Sequence, residues 1–363
     1  MNIKHFTDTD VLTAAKDRIK EVINTFDKCH VMFSGGKDSL VLLHLTQEVY
    51  DEMGIKEKVN VIFRDEEIIP QIVIDFVIKH WKSGKYNFRY YATQLKSEKF
   101  IMGKKVAYIQ WDENRKWIRE KPEGALEFPG LVLDQYNSDF KITEGDKGLI
   151  ALLTGQRADE SLVRLGSVLN KLNKPFISKS GSDNCRIIKP LYDWNESDIF
   201  KYMHDKSIEY CPIYDQELFN GSNLRVSTPL HAETSKRIYQ LKTQDPQFYN
   251  QIISVFPEME TQARYYKDFA NGRKDIMELY PRGWNGVIKY IDDNLEGKTR
   301  ALALNRVQTA IKLRANKIEQ YPQSLGGYPI RYVFQMVING AYKRQILPKN
   351  KASKLDLEYE NIV

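Results

Sequence analysis

Two adjacent glycines between an apolar strand-like run and an apolar helix-like run constrain this chain more than any other feature. His30-Val31-Met32-Phe33 leads into Ser34-Gly35-Gly36-Lys37-Asp38-Ser39, and Leu40-Val41-Leu42-Leu43-His44-Leu45 follows. A helix that is apolar on all sides is one packed against a sheet. The glycines let the backbone approach a ligand and point unpaired amides at it, while the helix N-terminus adds partial positive charge. That geometry suits phosphate. Ser34 and Ser39 bring hydroxyls, Lys37 a cation for phosphate oxygens, and Asp38 a carboxylate able to hold Mg²⁺. The alternative is a tight turn that merely needs glycine.

The same alternation continues downstream. Val59-Asn60-Val61-Ile62-Phe63 reads as a second strand, Pro70 to Lys79 as a helix, Asn87-Phe88-Arg89-Tyr90-Tyr91 as a third strand and Leu149-Ile150-Ala151-Leu152-Leu153 as a fourth, with a helix from near Asp159. Ahead of the first strand, Leu12, Ala15, Ile19, Val22, Ile23 and Phe26 recur at helical spacing after the cap-like Thr7-Asp8. Strands alternating with helices predict an α/β fold: a mostly parallel, doubly wound sheet covered on both faces, with ligands at the carboxyl ends of its strands. Residues 102–147, rich in Lys, Glu, Gly and Trp, are too long for a plain connection and predict a surface excursion. Arg186-Ile187-Ile188 reads as a further strand, and a capped helix is expected from Glu196 to Lys206. From Thr228 the pattern turns helical, which predicts a nucleotide-binding domain over 1–227 and a mainly helical C-terminal region over 228–363.

Composition narrows the class. With 363 residues, 42% hydrophobic and 28% charged, the chain has the make-up of a soluble globular protein. Met1 to Asp10 lacks the basic-then-apolar order of a secretion signal and no apolar run is long enough for a membrane span, so a cytoplasmic location is expected. Cys29, Cys185 and Cys211 are too scattered for a disulfide framework or a metal site. The net charge of +6 is uneven: between Lys298 and Lys354 stand twelve lysines and arginines against one acid, Glu319. Tyr321, Tyr328, Tyr332 and Tyr342 interleave with Arg331, Lys343 and Arg344. Cations for phosphate and rings for bases suit nucleic acid, and a helical cap with a solvated basic face reads equally well.

Ser-Gly-Gly-Lys-Asp-Ser after a strand lacks the Walker spacing. It resembles the PP-loop of the adenine-nucleotide α-hydrolase superfamily, which includes ATP pyrophosphatases, the ATP sulfurylase small subunit and the PAPS reductases. Thr154-Gly155-Gln156-Arg157-Ala158-Asp159-Glu160-Ser161-Leu162-Val163-Arg164 is similar to the Gly-x-Arg-x-x-Glu-Ser signature of the PAPS-reductase-like family. Pro190-Leu191-Tyr192-Asp193-Trp194 through Ile199 resembles another of its elements, and Trp111-Asp112-Glu113-Asn114-Arg115-Lys116-Trp117-Ile118-Arg119-Glu120 resembles an extended subgroup. The resemblance spans Phe26 to Asp215 and implies a PP-loop, HUP-like fold.

It further implies an adenine nucleotide, ATP or a sulfonucleotide (APS or PAPS), with Mg²⁺. The loop residues Ser34, Gly35, Gly36, Lys37, Asp38 and Ser39 would cradle it. Gly155, Arg157, Glu160, Ser161 and Arg164 would form a second contact, Arg157 being the leading oxyanion ligand and Arg164 the next. The implied catalytic set is Lys37, Asp38 and Arg157. Phe63-Arg64-Asp65-Glu66-Glu67 falls where the superfamily makes adenine contacts and places further acidic groups, so Phe63, Asp65 and Glu67 are candidates, the two acids to hold metal or orient a nucleophile; three consecutive acids also read as a solvated strand end.

The chain departs from sulfonucleotide reductases, whose thiolate sits on a C-terminal tail. Its last cysteine is Cys211, and no cysteine set suits an iron–sulfur cluster. The expectation is therefore an ATP pyrophosphatase or adenylyltransferase. The alternatives are a non-enzymatic nucleotide-dependent regulator holding nucleic acid or a protein, for which the resemblance suggests a ParB-like partner, and a sulfonucleotide binder served by an external thiol.

Overall fold

The computed structural model describes residues 7–169, 174–219, 226–232 and 234–360. The first helix, α1 (Val11–Thr25), starts at Asp10, whose carboxylate accepts the amides of Leu12 and Thr13 at 2.9 and 3.0 Å. Asp10 is thus the cap, rather than Thr7-Asp8, and Ala15, Ile19 and Val22 form the buried stripe. Then follow β1 (Lys28–Met32), α2 (Lys37–Glu52), β2 (Asn60–Arg64), α3 (Gln71–Lys82) and β3 (Asn87–Tyr91). A hairpin of β4 (Leu95–Ile101) and β5 (Lys104–Gln110) precedes α4 (Gln135–Thr143), β6 (Ile150–Leu153), α5 (Leu162–Val168), β7 (Ile177–Lys179), β8 (Cys185–Ile188), α6 (Glu196–Asp205) and α7 (Ile213–Phe219).

The strands form one sheet in the order β3-β2-β1-β6-β8-β7, parallel throughout except for the edge strand β7. At its centre Val31 of β1 lies opposite Val61 of β2 and Leu153 of β6, all three buried. From β1 the chain winds outward through β2 and β3, then returns to place β6 on the other side of β1. That reversal makes the carboxyl ends of β1 and β6 the topological switch point, where open α/β sheets bind ligands. Helix α2 is buried on nearly every side, with Leu40, Val41, Leu42, Leu43 and Leu45 in the core, so its N-terminus is firmly held at that point.

The stretch 102–147 runs over the surface for much of its length, with Leu126, Leu131 and Phe140 exposed, but it is anchored at several points. It starts inside the β4–β5 hairpin and buries Trp111, Ile118, Leu133 and Ile142. A lone two-stranded hairpin is marginal in water. This one gains its cover from α8 (Ile238–Gln244), α9 (Pro246–Val255) and the start of α10 (Met259–Asp275): Tyr108 and Ile118 share a core with Ile238, Phe248, Ile252, Phe256 and Met259. Because these helices pack there, the first compact unit runs to Arg264, beyond the boundary expected at 227/228.

The second unit, Tyr265–Val363, has its own core of Val287, Ile291, Ala303, Val307, Tyr328, Val333, Phe334 and Val337. These come mainly from α11 (Trp284–Asn294), α12 (Gly297–Lys317) and α13 (Ile330–Ile338); α14 (Lys354–Tyr359) is the last helix among the described residues. Among the described residues no helix is long and apolar enough to cross a membrane.

Candidate functional site

Gly35 has φ +75°, and a Cβ placed there would lie 2.8 Å from Val77 and 3.1 Å from Val73, both on α3. Only glycine meets both demands. Ser39 Oγ donates to the Gly36 carbonyl at 2.9 Å and accepts the Ser34 amide at 3.1 Å, and the Gly36 amide reaches Ser34 Oγ at 3.3 Å. The two serines therefore brace the turn that they were expected to serve as ligand donors.

Lys37 and Asp38 open α2. Lys37 is buried, its Nζ 3.2 Å from Glu196 and 3.5 Å from Asp38, and 5.5 Å from the centre of the Tyr214 ring. The Lys37 amide donates to the Tyr214 hydroxyl at 2.7 Å. Burial pushes the Tyr214 phenol well above its ordinary range, so it stays protonated. Sequence reasoning missed Tyr214 and Glu196 as loop neighbours. Glu196 lies within the Pro190–Ile199 element, whereas nothing in the pattern around Tyr214 marks it.

The motif after β6 meets the loop directly. A Cβ on Gly155 would fall 2.7–2.8 Å from the backbone of Asp38 and Ser39, so this glycine is what permits the approach. Two residues on, Arg157 is 4% exposed and its Nε donates to Asp38 Oδ1 at 2.6 Å. Arg157 Nη1 is buried without a hydrogen-bond partner among the described residues, 3.7 Å from Asp159. A buried cationic donor left open beside a glycine-rich helix start is fit to receive an oxyanion. Glu160 accepts the Arg157 amide at 3.1 Å, and Ser161 caps α5 by accepting the Arg164 amide at 3.2 Å. Arg164 pairs with Glu160, and its side chain is 40% exposed. The structure thus joins Gly155 and Arg157 to the loop, uses Glu160 and Ser161 as caps, and gives Arg164 a local partner.

The segment after β2 differs from both readings of it. Phe63 is buried and packs on Tyr90, with ring centres 4.9 Å apart. Asp65 and Glu67 are 3% and 0% exposed, so they are no solvated strand end. Glu67 accepts from both nitrogens of the Arg115 fork at 2.6–2.7 Å, from the Trp111 amide at 2.6 Å and from the Ile118 amide at 3.3 Å. Asp65 accepts from Arg119, from Tyr90 Oη and from the Glu67 amide. With their lone pairs engaged, both carboxylates anchor the 102–147 stretch to the sheet instead of standing open to metal or adenine.

Among the described residues no group of three or more His, Cys, Asp and Glu side chains is placed to hold a metal. Asp38 fits Mg²⁺ only as a single carboxylate, a common arrangement in which substrate phosphates and water complete the shell. All three cysteines are buried: burial pushes the Cys29 thiol up to about 12, the Cys211 thiol up to about 11, and Cys185 upward. None is a ready thiolate.

In the second unit, Tyr328 and Tyr342 are core residues and Tyr332 is packed, its hydroxyl donating to the Leu347 carbonyl at 2.9 Å; of the four tyrosines only Tyr321 is exposed. Arg314 forks onto Glu360 at 2.6–2.8 Å, and Lys349 pairs with Asp356 at 2.5 Å. These two acids lie just past the end of the segment, and Asp292, ahead of it, pairs with Arg300. Lys298, Lys312, Lys317, Lys343, Arg344 and Lys351 remain exposed.

Three comparisons set the chain beside known proteins. An uncharacterized protein of Escherichia coli (strain K12), YbdN, is 24% identical over 340 residues, covering 88% of this chain and 83% of its own. Among solved structures, the PAPS reductase of Candida auris in its phosphate complex has 17% identity and a TM-score of 0.35, covering 59% of this chain and 88% of that one. The FMN adenylyltransferase of Candida glabrata has 15% identity and a TM-score of 0.37, covering 59% and 62% respectively. The phosphoadenosine phosphosulfate reductase domain family matches residues 28–329, and the chain belongs to that family of PP-loop proteins.

Proposed function

We propose that the chain binds ATP at the switch point and acts as an ATP pyrophosphatase of the adenylyltransferase type. An acceptor oxyanion or nucleophile attacks the α-phosphate, the bond to the β-phosphate breaks, and pyrophosphate leaves with its electron pair. The carrying observation is the close approach of Gly155 to the Asp38–Ser39 backbone beside Arg157, which bonds to Asp38 through Nε and keeps a buried Nη1 without a hydrogen-bond partner among the described residues. Lys37 and the loop amides stabilise charge on the leaving pyrophosphate, and Arg157 steadies the acceptor or the triphosphate. Mg²⁺, when bound through Asp38, would neutralise phosphate oxygens. The buried, high-pKa thiols argue against a reductase that uses its own cysteine. An APS or PAPS binder served by an external thiol keeps the same loop and Arg157 contacts.

The test is pyrophosphate release from ATP with Mg²⁺, with and without sulfate and with mixed RNA or DNA, against Lys37→Ala. Release that depends on one additive and disappears in the variant supports the reading and identifies the acceptor class. Binding without release under every condition overturns it. That outcome favours a nucleotide-dependent regulator, for which the separate unit Tyr265–Val363 and its exposed Lys298, Lys312, Lys317, Lys343, Arg344 and Lys351 are the specific support. A nucleic acid, or a protein such as a ParB-like partner, would then meet that basic surface. A cytoplasmic setting accords with either reading.

A further inference from the structure

Tyr214 carries a capacity that the nucleotide reading has not used. It is 3% exposed, and its hydroxyl accepts the Lys37 amide at 2.7 Å. Accepting occupies a lone pair and leaves the phenolic proton to be donated. Burial holds that proton on the oxygen, and no group among the described residues accepts it. The hydroxyls of the turn differ. Ser39 Oγ donates to the Gly36 carbonyl at 2.9 Å, which leaves Ser34 as the donor across the 3.0 Å between the two serine oxygens. Their protons are spent inside the turn, whereas that of Tyr214 is not. Buried donors are nearly always satisfied, so an open one at a loop built for phosphate points to an acceptor on the ligand.

Its place is fixed and within reach of a ligand. Ile213 and Tyr214 lie in the core of the sheet domain, the Tyr214 amide bonds to the Cys211 carbonyl at 3.2 Å, and Cys211 Sγ reaches the Ile72 carbonyl of α3 at 3.9 Å. A Cβ on Gly36 would come 3.1 Å from the Tyr214 hydroxyl and 3.2 Å from Ser34 Oγ, so both oxygens border this glycine. Ser34 is exposed, and the loop is therefore open beside the phenol. The Lys37 amide is the first of α2, where the helix dipole favours an anion, and a hydroxyl that accepts from such an amide becomes a stronger donor. We propose that Tyr214 is a phosphate-binding residue of the loop: its hydroxyl donates to an oxygen of the polyphosphate end of the nucleotide while it continues to accept the Lys37 amide. This rests on the reading of the loop as an ATP site. It adds a donor without adding charge, and it makes the Lys37 amide act on phosphate through the phenol.

The experiment is calorimetric titration of the full chain with ATP, inorganic pyrophosphate and adenosine, each with Mg²⁺, on the native protein and on Tyr214→Phe. Phenylalanine keeps the ring beside Lys37 and deletes only the oxygen, and denaturant unfolding checks that the variant is folded. The expected result is that ATP and pyrophosphate bind Tyr214→Phe about tenfold or more weakly, the range for a hydrogen bond to a charged group, with adenosine unchanged. Equal loss for all three ligands marks a structural role and overturns the proposal. So does tighter ATP binding, which would mean that the phenol occupies the phosphate position and must be displaced. Unchanged ATP binding overturns the proposal alone and leaves the ATP site standing, whereas no binding of ATP or pyrophosphate to the native protein overturns both. A second measurement needs no variant. In native protein labelled with ¹⁵N-lysine, the Lys37 amide should keep its nuclear Overhauser contact with the Tyr214 ring when pyrophosphate binds, and loss of that contact sinks the proposal.

Discussion

The turn after β1 and the acidic run after β2 end on neighbouring strands at one edge of the sheet, and each carries charged side chains, yet they treat those charges in opposite ways. Around the turn, Arg157 keeps a buried donor without a hydrogen-bond partner among the described residues and Asp38 stays 22% exposed at its side chain. After β2, Glu67 accepts from the Arg115 fork and two backbone amides, and Asp65 from three donors. Both are clusters of charge, so charge alone does not mark a site. The informative quantity is the hydrogen-bonding capacity left over once the protein has bonded to itself.

If that distinction is right, Glu67→Gln is the most damaging conservative change. It leaves the Arg115 guanidinium buried against a neutral amide, and breaking a buried pair costs about 3–5 kcal/mol. Denaturant unfolding should show that loss, while the folded fraction binds ATP as before; unchanged stability with lost ATP binding would make Glu67 a ligand residue after all. Gly155→Ala comes next. Its Cβ would press on the Asp38–Ser39 backbone, with an overpacking cost of about 1–3 kcal/mol, and ATP affinity should fall more than stability because the loop itself shifts.

Arg157→Ala is expected to cost roughly 1.5–3 kcal/mol of nucleotide binding by calorimetry, the range for a charge-assisted hydrogen bond, with a small change in unfolding midpoint. A large stability loss without a binding effect would move Arg157 into the saturated class with Glu67.

The smallest effect concerns an ion-paired cluster elsewhere on the sheet. His30, fully buried in β1, lies 2.7 Å from Asp146, which also takes the Arg89 fork at 2.8–3.0 Å. Burial lowers the His30 pKa below 6.5 despite the carboxylate, so the folded protein holds it neutral. The unfolded chain then binds the extra proton first, and stability should fall as pH drops below 6.5, by at most about 1.4 kcal/mol per pH unit. His30→Gln should flatten that slope in pH-dependent unfolding.

The turn, the strand-helix alternation and the parallel sheet were legible because each rests on local pattern: glycine at a positive φ, apolar runs of strand length, and a helix apolar all round. The approach of Gly155 to the loop was legible only through resemblance, since the two motifs lie far apart in the chain. The packing of Trp111, Arg115 and Arg119 under the strand ends was not legible. A run such as Trp111–Glu120 looks polar and mobile in sequence, and only the acids of a distant strand turn its arginines into buried anchors. The pairing inside the basic segment was not legible for the converse reason: the acids that answer Arg314 and Lys349, Glu360 and Asp356, stand just beyond the window in which charge accumulates.

Glu67 has φ +62°, a conformation that costs a residue with a Cβ on the order of 1 kcal/mol or more. Glycine would relieve the backbone but delete the carboxylate; aspartate or glutamine would keep the strain and weaken the pairing. One position thus answers to two incompatible criteria, and none of these single substitutions improves both. A search for stabilised variants that scores residues one at a time should therefore find no gain here, and the path to a different solution runs through simultaneous change at Glu67 and Arg115.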